Sequence, residues 1–272
     1  MKLRSILYLL FFSGFFHVAS AQQTLNNEHR YKTYKEAYEL FYKEKYAAAQ
    51  QLFDQYILQS TDRESVINAY YYSGVCAMEL FNADAIAKLT YVYQNYPENP
   101  KAKLALFQLG RYFYRSKDNK RAVQYLEQVD ALSLTNEEAD EYWFIKGYCY
   151  FKTDKFTESK LSFKNIKDEK NKYYDPANYY YGYVVYKEGN YDEALAHFNR
   201  IKSSKTFGPL SQVYIAQILF TRKQYKEVVA FADSLTNKDV ADDVAGIVGQ
   251  SYFNLNEYGK AVPYLEAYNA NP

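Results

Sequence analysis

Cysteine and histidine are scarce in this chain: two cysteines, Cys76 and Cys149, and three histidines, His17, His29 and His197. No spacing among them suits a zinc site. Glycine numbers ten and clusters nowhere, so no glycine-rich loop is available to cradle a phosphate. No Gly/Ser-rich stretch or composition shift divides the chain. Neither sign of charge dominates: 33 Lys and Arg stand against 32 Asp and Glu. A basic stripe for nucleic acid or an anionic membrane is therefore missing. Long apolar runs are missing too. The one candidate, Ile6–Phe16, is interrupted by Ser13 and Gly14 and falls short of the roughly 20 residues a spanning helix needs.

That short run reads instead as part of a secretory signal. Lys2 and Arg4 precede it, and Ala19-Ser20-Ala21 follows as a small-x-small cleavage site, placing Gln22 at the mature N-terminus. No cysteine follows the site, so a lipoprotein signal is not indicated. Losing Lys2 and Arg4 leaves 31 basic against 32 acidic residues, a net charge of −1. The mature chain is expected to be exported and soluble, beginning with a polar leader over residues 22–30.

What the sequence has in excess is aromatic: 33 Tyr and 18 Phe. They fall in a register. In Glu141–Ile166, Trp143, Gly147 and Tyr150 share one helix face, and Phe156, Ser159, Phe163 and Ile166 share another, with a polar turn Lys152–Lys155 between. Glycine inside a helix costs roughly 1 kcal/mol relative to alanine, so Gly147 calls for close helix–helix contact. The arrangement recurs. Ala37, Gly74, Gly110, Gly147, Gly182, Ala216 and Gly249 follow one another at steps of 37, 36, 37, 35, 34 and 33 residues. Twelve residues after six of them comes a second slim residue (Ala49, Ala122, Ser159, Ala194, Val228, Ala261), and Ala85 comes eleven after Gly74. Four further on lie Phe53, Leu89, Leu126, Phe163, Phe198, Ala232 and Leu265. Three beyond those lie Tyr56, Val92, Val129, Ile166, Ile201, Leu235 and Tyr268.

A period near 34 with this order of small and large positions resembles the tetratricopeptide repeat (TPR), over residues 30–272. The family pattern is degenerate. Trp occurs only as Trp143, the closing Pro is clear only at Pro97, Ala37 and Ala216 replace glycine, and Ala232 replaces Phe. The helical repeat that reads RNA would want basic surfaces, which are lacking. The resemblance implies an all-α, right-handed superhelical α-solenoid of about seven helix hairpins, over about 30–63, 67–99, 103–136, 140–173, 175–208, 209–241 and 242–272. They are expected to form one elongated domain. The closing AYNANP is similar to the inter-repeat NYPENP, so the array is expected to continue beyond residue 272.

Capping signals place the turns. Thr61/Glu64 and Thr135/Glu138 fit the capping box, and Asp175-Pro176 fits a capping carboxylate before a first-position proline. Pro97, Pro100 and Pro209 fall between units. Cys76 and Cys149, in equivalent phase two repeats apart, are separated by four helix layers of about 8–10 Å, too far for a disulfide. The cluster Glu137, Glu138, Asp140 and Glu141 sits where a helix macrodipole welcomes negative charge. No residue constellation suggests catalysis or a cofactor.

The family's groove positions, at −6, −3, +1, +4 and +5 from the glycine, imply a peptide or partner-protein groove. They carry over to Tyr34, Tyr38, Phe41 and Tyr42, then Tyr71 and Met78, then Phe107, Arg111, Tyr114 and Arg115. Next come Phe144, Tyr148, Phe151 and Lys152, then Tyr179, Tyr183, Tyr186 and Lys187, then Val213, Gln217 and Phe220. Tyrosine suits such a surface because it joins large apolar area to a hydroxyl. The resemblance thus implies an exported, periplasmic, non-enzymatic scaffold, of the kind that serves envelope assembly, division or secretion. Glycan binding on the tyrosine faces and a spacer role for a further C-terminal domain are the alternatives.

Overall fold

A computed structural model describes residues 30–270, and every regular element among them is helical. The helices come in pairs. Helix α1 (30–42) is followed by α2 (Tyr46–Gln59), α3 (Arg63–Glu79) by α4 (Ala85–Asn95), and α5 (Pro100–Arg115) by α6 (Asn119–Leu126). After a 3-10 turn at Ala131–Ser133 come α7 (Asn136–Lys152) and α8 (Phe156–Phe163), then α9 (Tyr174–Lys187) and α10 (Tyr191–Ile201). The last pairs are α11 (Gly208–Thr221) with α12 (Tyr225–Asp233), and α13 (Lys238–Asn254) with α14 (Tyr258–Ala270). These seven hairpins form the all-α repeat array expected from the sequence. The second, third, fourth and seventh begin three or four residues ahead of the repeat bounds, because their first helices extend N-terminally of the glycine-centred motif. The hairpins group into two compact units, one ending at Leu134 with three hairpins and one starting at Thr135 with four. The signal sequence and the polar leader up to His29, Gln22 included, lie outside the described residues, as does Pro272, whereas Arg30 opens α1.

Within each hairpin the slim residues do what their spacing demands. All seven of the first set and all seven of the second are buried. A Cβ built on Gly147 would stand 2.9 Å from the Phe163 ring, on Gly74 2.9 Å from Leu89, and on Gly249 2.8 Å from Leu265. At Gly110 it would fall directly onto Leu126. The second helix thus lays its large side chain over the bare backbone of the first. Ser159 adds a polar tie by donating its hydroxyl to the Gly147 carbonyl at 2.9 Å. The covering residues Phe53, Leu89, Leu126, Phe163 and Phe198 are fully buried. Each contributes roughly 1.5–3 kcal/mol by leaving water. The last two units are looser, with Ala232 and Leu265 half-buried and Tyr268 exposed.

Every hairpin turns the same corner. Seven residues after each slim residue the backbone enters the left-handed region, at Glu44, Phe81, Lys117, Asp154, Gly189, Lys223 and Asn256. The next residue's N–H reaches back to the carbonyl five before it, as in Asn82 to Ala77 (2.8 Å) and Asp118 to Phe113 (2.9 Å). This is the Schellman closure, which satisfies carbonyls that a helix end leaves open. Only one of the seven corners uses glycine.

Two helix starts differ from expectation. Thr135 and Glu138 do form a reciprocal capping box. Helix α3, however, begins after Asp62, whose carboxylate is taken by the Ser65 hydroxyl, so Thr61 and Glu64 form no box. Helix α9 begins at Tyr174, which puts Asp175 and Pro176 inside its first turn, where a missing N–H costs nothing. Asp175 instead accepts from Ser204 at 2.5 Å. Pro100 and Pro209 likewise sit in first turns, of α5 and α11.

Candidate protein-interaction face

The first helix of each hairpin carries the residues that the sequence marks for binding. In the N-terminal unit the structure divides them. Tyr71 and Phe107 are buried, 5% and 1% exposed, and Met78 is fully enclosed, so these three fill core instead of facing outward. For Tyr71 and Phe107 the cause is their −3 position, which points into the gap between helices. Tyr38 and Tyr42 stay accessible and share a hydroxyl–hydroxyl hydrogen bond of 2.9 Å, with Tyr42 exposed. Phe41 and Tyr38 both lean on the Tyr72 ring, at 5.0 and 5.1 Å. Lys101 places its ammonium 4.7 Å above Tyr72 and donates to its hydroxyl at 3.0 Å. Arg111 and Arg115 converge on Glu79, at 3.9 and 2.9 Å, and Arg111 also donates to Gln108. That internal acid takes up the charge expected to await a partner's carboxylate. Tyr114, on α5, is half-buried.

In the C-terminal unit the expected residues draw together. Phe144 is half-buried and stacked on Tyr173 at 4.8 Å, so it again acts largely as filler. Tyr148 meets Tyr180 at 5.4 Å, and Phe151 meets Tyr180 at 4.9 Å and Tyr183 at 5.3 Å. Tyr183 and Tyr186 both lean on Tyr214, at 5.6 and 5.2 Å. A continuous band of half-buried rings therefore crosses α7, α9 and α11. Lys152 and Lys187 are exposed beside it, the former 5.9 Å above Tyr148. The Tyr186 hydroxyl lies 3.5 Å from Gln217. Tyr179 reaches inward to Phe207 and Phe198. Val213 is half-buried, and Phe220 packs on Tyr225. Burial raises the hydroxyl pKa of Tyr179, Tyr186 and, most strongly, Tyr214. These phenols remain protonated donors at neutral pH.

Tyr180 and Tyr214, which tie the band together, escaped the sequence reading. They sit two residues before the slim residue and stack on the large residue of the preceding second helix. Tyr180 lies on Phe163 at 5.7 Å and 14°, Tyr214 on Phe198 at 5.1 Å and 10°, and Tyr72 on Phe53 at 5.5 Å and 18°. The signal was present as a pairing. Where the preceding large residue is Phe the position holds Tyr, whereas Leu89 is followed by Gln108 and Ala232 by Ile247.

His197 is buried in the hairpin of α9 and α10. The Asn178 side-chain nitrogen donates to the Lys167 and Tyr174 carbonyls, at 2.6 and 2.9 Å, which leaves its oxygen to accept from His197 Nδ1 at 2.7 Å. Burial first, then Arg200 and Lys167, lowers the imidazole pKa to about 4. Cys76 and Cys149 are buried thiols outside any disulfide, each pushed up to about 12 by desolvation. Glu138 is spent on its cap, and Asp140 accepts from Asn171 at 2.7 Å. Among the described residues no group of three or more His, Cys, Asp or Glu could hold a metal ion. Nor is any described helix long and apolar enough to cross a membrane.

Residues 81–133 match the family model for the tetratricopeptide repeat. No curated protein matches the sequence. Solved structures do match in fold. The C-terminal part of a TPR repeat-containing protein from Cytophaga hutchinsonii aligns with a TM-score of 0.58 at 14% identity, covering 87% of this chain and 94% of that one. A tetratricopeptide repeat protein from Parabacteroides merdae gives 0.52 at 14% identity, covering 89% and 92%. MamA of strain AMB-1 gives 0.53 at 15% identity, covering 64% and 93%.

Proposed function

We propose that this chain, whose repeats and fold are those of the tetratricopeptide family, is a non-catalytic scaffold that holds a peptide or partner protein on its aromatic face. The observation that carries the reading is the band from Tyr148 to Tyr186 in the C-terminal unit. Three successive first helices bring half-buried phenols into ring contact there, with lysines on the rim. Such a surface gains affinity by burying aromatic area and by hydroxyl hydrogen bonds, with no bond made or broken. The leader pattern Met1–Ala21 supports export to the periplasm, and with it a role in envelope assembly, division or secretion. The balanced charge speaks for a protein partner over nucleic acid.

The test compares the chain with its Tyr148→Ala/Tyr183→Ala variant as bait for envelope extract. Helicity is checked by circular dichroism and captured proteins are identified by mass spectrometry. A specific partner lost from the variant at unchanged helicity supports the reading. Partners retained in full by the variant remove the aromatic band from it. N-terminal sequencing of the exported protein checks the leader, with Gln22 as the expected first residue.

A further inference from the structure

We infer that the N-terminal unit carries a binding site of its own, a cavity that takes a neutral sugar ring. The cavity encloses about 500 Å³ where the start of α1 meets the end of α2 and the start of α3. Small-molecule sites run from roughly 300 to 1,000 Å³. Two rings form its apolar wall, Tyr34 of α1 and Tyr56 of α2, with centroids 5.0 Å apart and planes inclined at 57°. Tyr56 is the telling residue. It occupies the phase that Val92, Val129, Ile166, Ile201 and Leu235 fill with hydrocarbon in other repeats. Only 6% of it is exposed, yet its hydroxyl hydrogen-bonds to nothing among the described residues. A ring kept there for packing alone would do better as phenylalanine, because an unpaired buried hydroxyl is costly. The hydroxyl borders the cavity, where a ligand can pair with it.

Charge selects the class of ligand. Arg30 and Asp62 both line the cavity. Arg30 donates to the Gln59 carbonyl at 3.0 Å, and Asp62 accepts from the Ser65 hydroxyl with one of its two carboxylate oxygens. An anion would meet Asp62 and a cation would meet Arg30, so a neutral ligand fits best. The other polar groups of the lining are hydroxyls, those of Tyr34, Ser60 and Thr61 beside Tyr56 and Ser65. Ser60 accepts from the Asp62 N–H at 3.2 Å and keeps its own proton to give. A hydroxyl both donates and accepts, and a ligand made of hydroxyls uses both roles. A sugar ring presents them in adjacent pairs, which a carboxylate or a guanidinium fork can engage two at a time. Its C–H face supplies the apolar area that the Tyr34 and Tyr56 rings can cover.

The test is a printed array of neutral gluco-, manno-, galacto- and xylo-oligosaccharides beside sulfated and sialylated glycans and cationic chitosan oligomers, probed with the full chain. Calorimetric titration of the strongest neutral glycan follows. Neutral glycans are expected to bind and the charged sets to fail. Tyr56→Phe, which removes one oxygen and keeps the ring, should weaken binding about three- to tenfold with the thermal midpoint held or raised. Asp62→Asn should weaken it about tenfold or more, since a charged acceptor is lost. Free phenylalanine, a zwitterion with an aromatic ring, should not displace the sugar. No neutral glycan bound, charged glycans bound equally well, or displacement by phenylalanine would overturn the inference. Neutral binding that Tyr56→Phe and Asp62→Asn leave unchanged would overturn it too, since the sugar would then sit elsewhere. Partner capture by the aromatic band is read separately from all of these results.

Discussion

Acidification should loosen the C-terminal unit through one side chain. His197 is neutral in the folded state, its imidazole held down to about 4 by burial among Asn178, Tyr181 and the cations Arg200 and Lys167. In the unfolded chain it titrates near the ordinary value of 6.5. The sign follows. Between those values the unfolded state binds a proton that the folded state refuses, so stability is intact above about pH 6.5 and falls as pH drops toward 4. A shift of one pKa unit corresponds to about 1.4 kcal/mol. The full difference is then about 3 kcal/mol, and the part lost between pH 7 and pH 5 is about 2 kcal/mol. Asp168, whose carboxyl Lys167 and Arg200 hold below its usual range, also loses stability on acidification, but at lower pH. The chain's single tryptophan, Trp143, packs against the core cluster containing Phe198 and Tyr181, so its emission reports on this unit alone. Urea titrations at pH 7 and pH 5, for the protein and for His197→Gln, isolate the effect. Glutamine can still donate to Asn178 but cannot titrate. The unfolding free energy of the parent should fall by about 2 kcal/mol more than that of the variant. Equal pH sensitivity in the two would refute the assignment.

Three further outcomes follow from the packing. Gly147→Val should destabilise by about 1–3 kcal/mol, because its branched side chain would enter space the Phe163 ring already fills; thermal unfolding followed by circular dichroism reads the loss, and an unchanged midpoint would show that the helices can separate at no cost. Phe163→Leu combined with Tyr180→Leu in a double-mutant cycle should return a coupling near 1 kcal/mol, the surplus typical of a stacked aromatic pair; zero coupling would reduce the stack to ordinary burial. Lys117→Gly should raise stability by about 0.5–1 kcal/mol, since glycine enters the left-handed region without the penalty an L side chain carries there; urea titration decides, and destabilisation would show that the lysine side chain contributes more than its backbone costs.

Hairpin packing was legible because it obeys spacing alone. Gly147 and Ser159, twelve residues apart, had to meet if the two helices folded back, and a 2.9 Å hydrogen bond now joins them. The interaction face was legible only in part. Position relative to the glycine assigned Tyr71, Phe107 and Tyr148 alike to the outside, yet depth depends on what the neighbouring hairpin supplies, and in two of the three it closes over the ring. Glu79, which claims Arg111 and Arg115, lies more than thirty residues from both, a separation at which sequence patterns are silent. The cap moved one residue on, from Thr61 to Asp62, and two residues back, from Asp175 to Tyr173, where Ser65 and Ser204 engage the Asp62 and Asp175 carboxylates. The left-handed corners were hidden because six of the seven are not glycine.

Those corners have a practical use. All seven, from Glu44 to Asn256, face solvent, each at the tip of its own hairpin and away from the buried phases. They form a set of evenly repeating addresses, one per repeat. A probe or crosslinker attached at Lys117, Asp154 or Lys223 would tag a chosen hairpin while leaving its core untouched, so occupancy of the aromatic band could be mapped repeat by repeat on the intact chain.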